Sequence, residues 1–222
     1  MTTIVKFAIA ITLSILFVSC AWDTGVKGNG NVTTTARDVS ASFTEIEVSR
    51  GLDVYITQAN NNAILVEADD NLQNLITTTV NRGVLNISTS QNIGTSKSKK
   101  VLVDAKTVEL ISSSSGSDIY TNNTIESKTL HLKTSSGANL ELDIVTQNLK
   151  CSASSGSGIE LSGKTTNLTA NASSGSNIKA KHLIAQNGKV NASSGADVTV
   201  NVTEKLSSKS NSGGNVRNLG NN

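Results

Sequence analysis

Two glutamates nineteen residues apart, Glu141 and Glu160, are the pair in this chain whose spacing could do chemistry. If each stretch of some twenty residues forms one coil, they share an outward row at about 5 Å, the separation at which a carboxylate pair cleaves a glycosidic bond with retention. A plainer account fits the residues better: two solvated glutamates on a regular β face, with Lys179 next in the same row. A calcium-dependent β-helical lyase would need clustered aspartates and a projecting cationic base, and the chain has neither pattern, so no metal and no cofactor are expected. His131 and His182 fall at different offsets on coils that are not neighbours and cannot easily share a metal. The many serines come without a Gly-x-Ser-x-Gly elbow or a histidine partner. Cys151, between apolar positions, reads as a small, buried, inert side chain. Trp22, Tyr55 and Tyr120 are too few to build an aromatic sugar cleft.

The clearest chemical signal lies at the start of the chain. Lys6 is the only charge in the first twenty residues, an apolar run follows from Phe7 to Val18, and Ser19 precedes Cys20, the layout of an export signal. Twelve apolar residues are too few to span a bilayer, which needs about 20. Phe17-Val18-Ser19-Cys20 is similar to a lipobox, where cleavage exposes a cysteine that takes a diacylglycerol; buried acyl chains contribute about 0.8 kcal/mol per methylene to membrane anchoring. Cys20 is therefore the expected lipidation site, with residues 1–19 as signal and 20–29 as linker. Loss of Lys6 leaves 18 basic against 17 acidic groups, a balance that gives no broad field for nucleic acid. With Cys20 acylated, Cys151 has no partner, which excludes a disulfide framework.

The elements that would position these residues follow from the repeats. There is no proline, and six aromatic residues stand among 222, so a thick globular core is not available. Instead one phrase recurs: SSGSDI, SSGANL, SSGSGI, SSGSNI, SSGADV and NSGGNV, with glycines at Gly116, Gly137, Gly156, Gly175, Gly195 and Gly213. The spacings of 18 to 21 residues suit one coil of a β-solenoid, each coil stacking on the next at roughly 4.8 Å. Three positions after each glycine the residue is always apolar: Ile119, Leu140, Ile159, Ile178, Val198 and Val216. Apolar residues also recur at offsets minus five and minus seven, with polar residues between them, the period-two signature of strands. Each coil thus reads as strand, SSG corner, strand and variable return. Two positions after the glycine come Asp118, Asn139, Asn177, Asp197 and Asn215, interrupted by Gly158; these residues tolerate left-handed geometry and can form amide ladders. They and the corner glycines are expected to be structural.

The predicted fold is all-β, a single-stranded right-handed parallel β-helix over residues 111–218, followed by a tail at 219–222, with handedness taken from the usual crossover rule. Residues 30–110 carry the pattern less regularly. SRGLDVYI around Gly51 fits an early coil, followed by a strand from Ala63 to Glu67, a short turn or helix opened by Asp69 and Asp70 through about Leu75, and two strands about the hairpin turn Asn81-Arg82-Gly83. Residues 91–100 read as a basic loop, and Val101 to Ile111 as the lead into the regular solenoid.

The signal, the FTEIEVSRGLDVYI opening, the VEADDNLQNLITTTVNRGVLNIS middle and the serial SGxN[IV] repeats resemble the bacterial putative auto-transporter adhesin family with the head GIN domain. The resemblance covers roughly residues 30–218 and implies a β-helical, pectin-lyase-like shape and an adhesive role; the G-I-N triplet itself is not present. The expected function is a lipid-anchored module of the cell envelope, at the outer membrane, that adheres or scaffolds without catalysis. Two alternatives stay open: a polysaccharide-binding or polysaccharide-active β-helix, and a periplasmic protein-interaction module. The expected partners are the membrane, through Cys20, and an extracellular or envelope protein or glycan; self-association through the exposed last coil near Gly213 is a further option.

Overall fold

The structure is a computed structural model that describes residues 25–39 and 41–220; the predicted export signal and lipidation site, residues 1–20, lie outside the described residues. The fold is set at its corners. In each SSG phrase the second serine and the glycine both have positive φ: 55° and 69° at Ser115 and Gly116, 54° and 71° at Ser136 and Gly137, 55° and 69° at Ser155 and Gly156. The Ser117 N–H donates to the Ser114 carbonyl at 3.3 Å, and Ala138 and Ser157 do the same to Ser135 and Ser154. Two consecutive positive φ values closed by this bond make a turn of type I′. Sequence reasoning assigned left-handed geometry to the residues two past the glycine. The structure places it on the serine before the glycine, while Asp118, Asn139, Asn177, Asp197 and Asn215 begin extended strands. Type I′ turns favour Asn-Gly, so Ser155→Asn, an exposed change, should raise stability by about 0.5 kcal/mol in a denaturant titration.

Fifteen strands follow among the described residues. The first six are β1 (Val32–Arg37), β2 (Glu45–Val48), β3 (Asp53–Gln58), β4 (Ala63–Asp69), β5 (Ile76–Asn81) and β6 (Val84–Thr89). Next come β7 (Lys99–Ala105), β8 (Leu110–Ser113), β9 (Asp118–Thr121) and β10 (Ile125–Thr134). The longest strands each wrap most of a coil: β11 (Asn139–Ala153), β12 (Gly158–Ala172), β13 (Asn177–Ala192) and β14 (Asp197–Ser210), with β15 (Asn215–Asn218) closing the set. They pair in parallel from β8 and β9 onward, in the register that the glycine alignment predicts. Ile119 lies opposite Leu140, Leu140 opposite Ile159, Ile159 opposite Ile178, Ile178 opposite Val198 and Val198 opposite Val216. All but Val216 are buried, and a second inner row runs through Ile46, Ile111, Leu132, Cys151, Ala170 and Val190. Each fully buried aliphatic side chain contributes roughly 1.5–3 kcal/mol, so the core is a set of thin stacked layers. The molecule is a parallel β-helix.

The early region differs from the expectation in one respect. β3 pairs with β9 as the Gly51 phrase predicts, and β5 and β6 form the hairpin about Arg82 and Gly83, both at positive φ. β7, however, does not lead directly into the next coil: it lies on the far side of β3, and β6 lies on the far side of β2. The β6–β7 coil thus stacks before the β2–β3 coil although it follows it in sequence. The chain then passes from β7 to β8, on the other side. Antiparallel β4, with β1 upon it, covers the exposed edge of β7, and β5 covers that of β6.

The opposite end carries devices that discourage strand addition. The inner rows turn polar at Ser208 and Ser210, Lys205 and Lys209 project from the edge, and Asn218 imitates a strand. Its Oδ1 accepts the Val202 N–H at 2.9 Å and its Nδ2 donates to the Val202 carbonyl at 3.1 Å.

Candidate functional site

The strands that follow the corners form a face whose outward row runs Leu102, Tyr55, Tyr120, Glu141, Glu160, Lys179, Thr199 and Arg217, each opposite the next. Glu141 and Glu160 are therefore true cross-coil neighbours. They border a shallow cleft of about 290 Å³ together with Tyr120 and Lys179. The Lys179 ammonium lies 4.0 Å from Glu160, whose side chain is 45% exposed, and Glu141 is exposed as well. The site leaves both carboxylates open to water. An acid catalyst of the glycosidase kind requires a carboxyl kept protonated by an apolar pocket, and this row supplies no such wall.

Tyr55 and Tyr120 stack on one another with ring centroids 5.0 Å apart and planes inclined by 22°. That spacing is the coil rise itself, so each ring gives one face to the other. Their outer faces look along the row toward Leu102 and Glu141, leaving ring edges and hydroxyls toward solvent. Burial pushes the Tyr120 phenol above its ordinary pKa, with Asp118, Asp53, Tyr55 and Glu141 adding to the shift. Burial also raises the Asp53 carboxyl, opposed by Lys99 and reinforced by Asp118.

The row two past each glycine holds side-chain bonds between coils. Asn139 Nδ2 donates to Asp118 Oδ1 at 2.9 Å, and Asn215 Nδ2 to Asp197 Oδ1 at 3.3 Å. At Gly158 the ladder has no side chain; a Cβ there would stand 2.7 Å from Asn139 Oδ1. A second ladder, which offsets from the glycine alone did not single out, links Asn187 to Asn167 and Asn167 to Asn148 at 3.3 and 3.0 Å. The signal was present in the sequence as asparagine at the same offset in three successive coils. Asp143 is held by Thr124 Oγ1 at 2.6 Å and Ser162 Oγ at 3.1 Å, a structural bond rather than a reactive group. His131 lies opposite Lys150 on the face that precedes the corners, and His182 lies opposite Ser162 on the other, so the histidines do not meet.

Cys151 is fully buried, and burial raises its thiol pKa far above the ordinary value of 9.0. The unfolded chain releases this proton at lower pH than the folded chain, so the stability contribution present below pH 9 is lost progressively above it. Denaturant titrations of the chain and of Cys151→Ala should show a steeper alkaline decline in the former. A thiol reagent should modify Cys151 only as fast as the chain opens.

Residues 42–222 match the family model of the putative auto-transporter adhesin, head GIN domain. The chain belongs to that family. Solved structures of other proteins share the fold. A putative adhesin from Bacteroides fragilis superposes with a TM-score of 0.80 at 19% identity, covering 88% of this chain and 100% of that one. A putative lipid binding protein from Parabacteroides distasonis gives 0.68 at 17% identity, with 88% and 100% covered. A putative adhesin from Parabacteroides merdae gives 0.64 at 16% identity, with 88% and 99% covered. No curated protein matches the chain. Identities this low carry the fold alone.

Proposed function

We propose that this head GIN domain protein is a lipid-anchored module of the cell envelope that adheres or scaffolds without catalysis. Family membership supports the adhesive part. The observation that carries the rest is the outward row of the post-corner face, where Glu141 and Glu160 stand in open solvent beside Lys179 while the neighbouring polar groups bond one coil to the next. A broad, regular, polar surface of this kind suits many weak contacts. Anchoring rests on the lipobox-like run before Cys20 and is the means by which the module would stay on the outer membrane.

Labelling cells with radioactive palmitate tests the anchor: label should enter the chain, and Cys20→Ala should abolish it and move the protein to the soluble fraction. Incubation with acidic and neutral glycans tests the chemistry, with no new unsaturated or reducing ends expected. Products that disappear in a Glu141→Gln, Glu160→Gln variant would overturn the non-catalytic reading.

A further inference from the structure

The two long faces of the solenoid differ in charge. In the five coils from Gly137 to Gly213, the seven-residue stretches 129–135, 148–154, 167–173, 187–193 and 205–211 carry Lys133, Lys150, Lys189, Lys205 and Lys209 and no Asp or Glu. The stretches that follow the same five corners are mixed in sign, with Glu141, Asp143, Glu160 and Asp197 beside Lys179, Lys181 and Arg217. An even overall balance thus conceals one face that carries lysines alone beside a face of mixed sign. All five lysines on the basic face are exposed. Among the described residues the only ion pairs are Lys100 with Glu67 and Lys179 with Glu160, neither of them on this face.

The basic face also contains the trough of about 490 Å³ that precedes the corners. One side is the row Ser112, Lys133, Ser152, Asn171 and Asn191, each opposite the next. The other is the hydroxyl row of Ser135, Ser154, Ser173 and Ser193. The inner row between them is small, with Ala153, Ala172 and Ala192 buried there, which sets the backbone back from the flanking side chains. Five coils at about 4.8 Å per step make a groove of roughly 20 Å along the axis. Carboxylates on this face gather only at its far end, at Glu45, Glu47 and Glu109.

We propose that this trough is the docking surface for a linear anionic polysaccharide, laid along the solenoid axis with its acid groups toward Lys133 on the trough wall and Lys150 and Lys189 in the adjoining outward row, and its hydroxyls toward the serine and asparagine rows. Two physical features select that occupant. Unpaired ammonium groups on a face without carboxylates attract a polyanion, and a hydroxyl-lined floor offers neutral donors and acceptors to a sugar. A single-stranded nucleic acid would need aromatic faces for its bases, and Tyr55 and Tyr120 lie on the opposite side. A second copy would bring a post-corner face of mixed sign, a regular surface rather than a ridge narrow enough for the trough. The proposal deepens the adhesive reading by naming a ligand class.

Binding of the purified full-length chain to labelled polygalacturonate and heparin, with neutral dextran and a single-stranded DNA as comparison, tests it. Both acidic glycans should bind at low salt and weaken as salt rises, and dextran should not bind. Lys133→Gln, Lys150→Gln, Lys189→Gln together should weaken binding about tenfold, the triple arginine variant should retain it, and Lys179→Gln on the other face should leave it unchanged. Ser152→Trp, which fills the trough without altering charge, should weaken binding as well. Equal binding to dextran, tighter binding to DNA, indifference to the lysine triple, or salt-sensitive self-association as the sole event would each overturn the assignment. These readouts do not involve Cys20 or the two glutamates, so their failure is distinct from failure of the anchoring or non-catalytic reading.

Discussion

Gly163→Ala should destabilise the chain by about 4 kcal/mol or more, or prevent folding, whereas Gly156→Ala should cost only about 1–2 kcal/mol. Both glycines have positive φ, 107° at Gly163 and 69° at Gly156, so both substitutions force an L residue into unfavourable backbone. The difference lies in what a side chain would meet. A Cβ built on Gly156 has nothing within 4 Å, while one on Gly163 would stand 2.0 Å from the Ile144 carbonyl oxygen. That oxygen belongs to the backbone of the preceding coil, which cannot yield without breaking the pairing of β11 with β12 over Asp143 to Lys164. Gly163 sits where the return segment begins, just past the register shift between Glu160 and Ser162 in the pairing of β12 with β13. Coil-to-coil distance is fixed by the backbone hydrogen bonds, so a lost glycine here is felt as a separation of coils rather than as a local turn defect. Paired urea titrations of the two variants measure the contrast, and the gap between them isolates the collision from the φ penalty. Similar losses would show that the return segment can move aside.

Much of this fold is legible in the sequence for a physical reason. A parallel solenoid gives each residue the same kind of neighbour in every coil, so the demand for Ile or Leu three past each glycine is repeated and becomes visible. The order of coils in the early region is not legible in the same way. Val101, Val103 and Ala105 alternate as an inward-facing strand should, and all three are buried. Period two specifies which side chains point inward and says nothing about which edge of β3 receives the strand. That choice follows from β4, whose antiparallel pairing with both β1 and β7 covers the end of the stack. The corner geometry was half legible: glycine announces positive φ, but Ser115, Ser136 and Ser155 adopt it too, and serine at such a position gives no warning. The candidate catalytic pair shows the opposite limit. Spacing correctly placed Glu141 against Glu160, yet the same spacing placed Lys179 beside them, and the openness of the row is a property of the surface that periodicity does not encode.

Ile159→Ala and Ile178→Ala should each destabilise the chain by about 3 kcal/mol, and the double variant should lose about 1 kcal/mol less than the sum. The two side chains are 1% and 0% exposed and face one another across the β12–β13 ladder, so the two truncations open one shared cavity into which the surrounding layer can partly settle. Ile159 and Ile46 provide the comparison. Ile46 lies opposite Ile111 in the β2 layer, three coils away from Ile159 or about 14 Å along the axis. That pair should be additive within about 0.5 kcal/mol. The contrast turns register into an energy: residues nineteen apart in the chain couple, and residues farther along the stack do not, because contact in a solenoid reaches only the adjacent coils. The same locality bears on function. A surface whose layers touch only their neighbours tolerates exchange of outward residues coil by coil, so Lys133, Lys150 and Lys189 can be replaced one at a time with the inner rows undisturbed. Additivity of the Ile159 and Ile178 changes would mean that the inner stripe is not continuous, and the lysines placed by the same register would then have no common face.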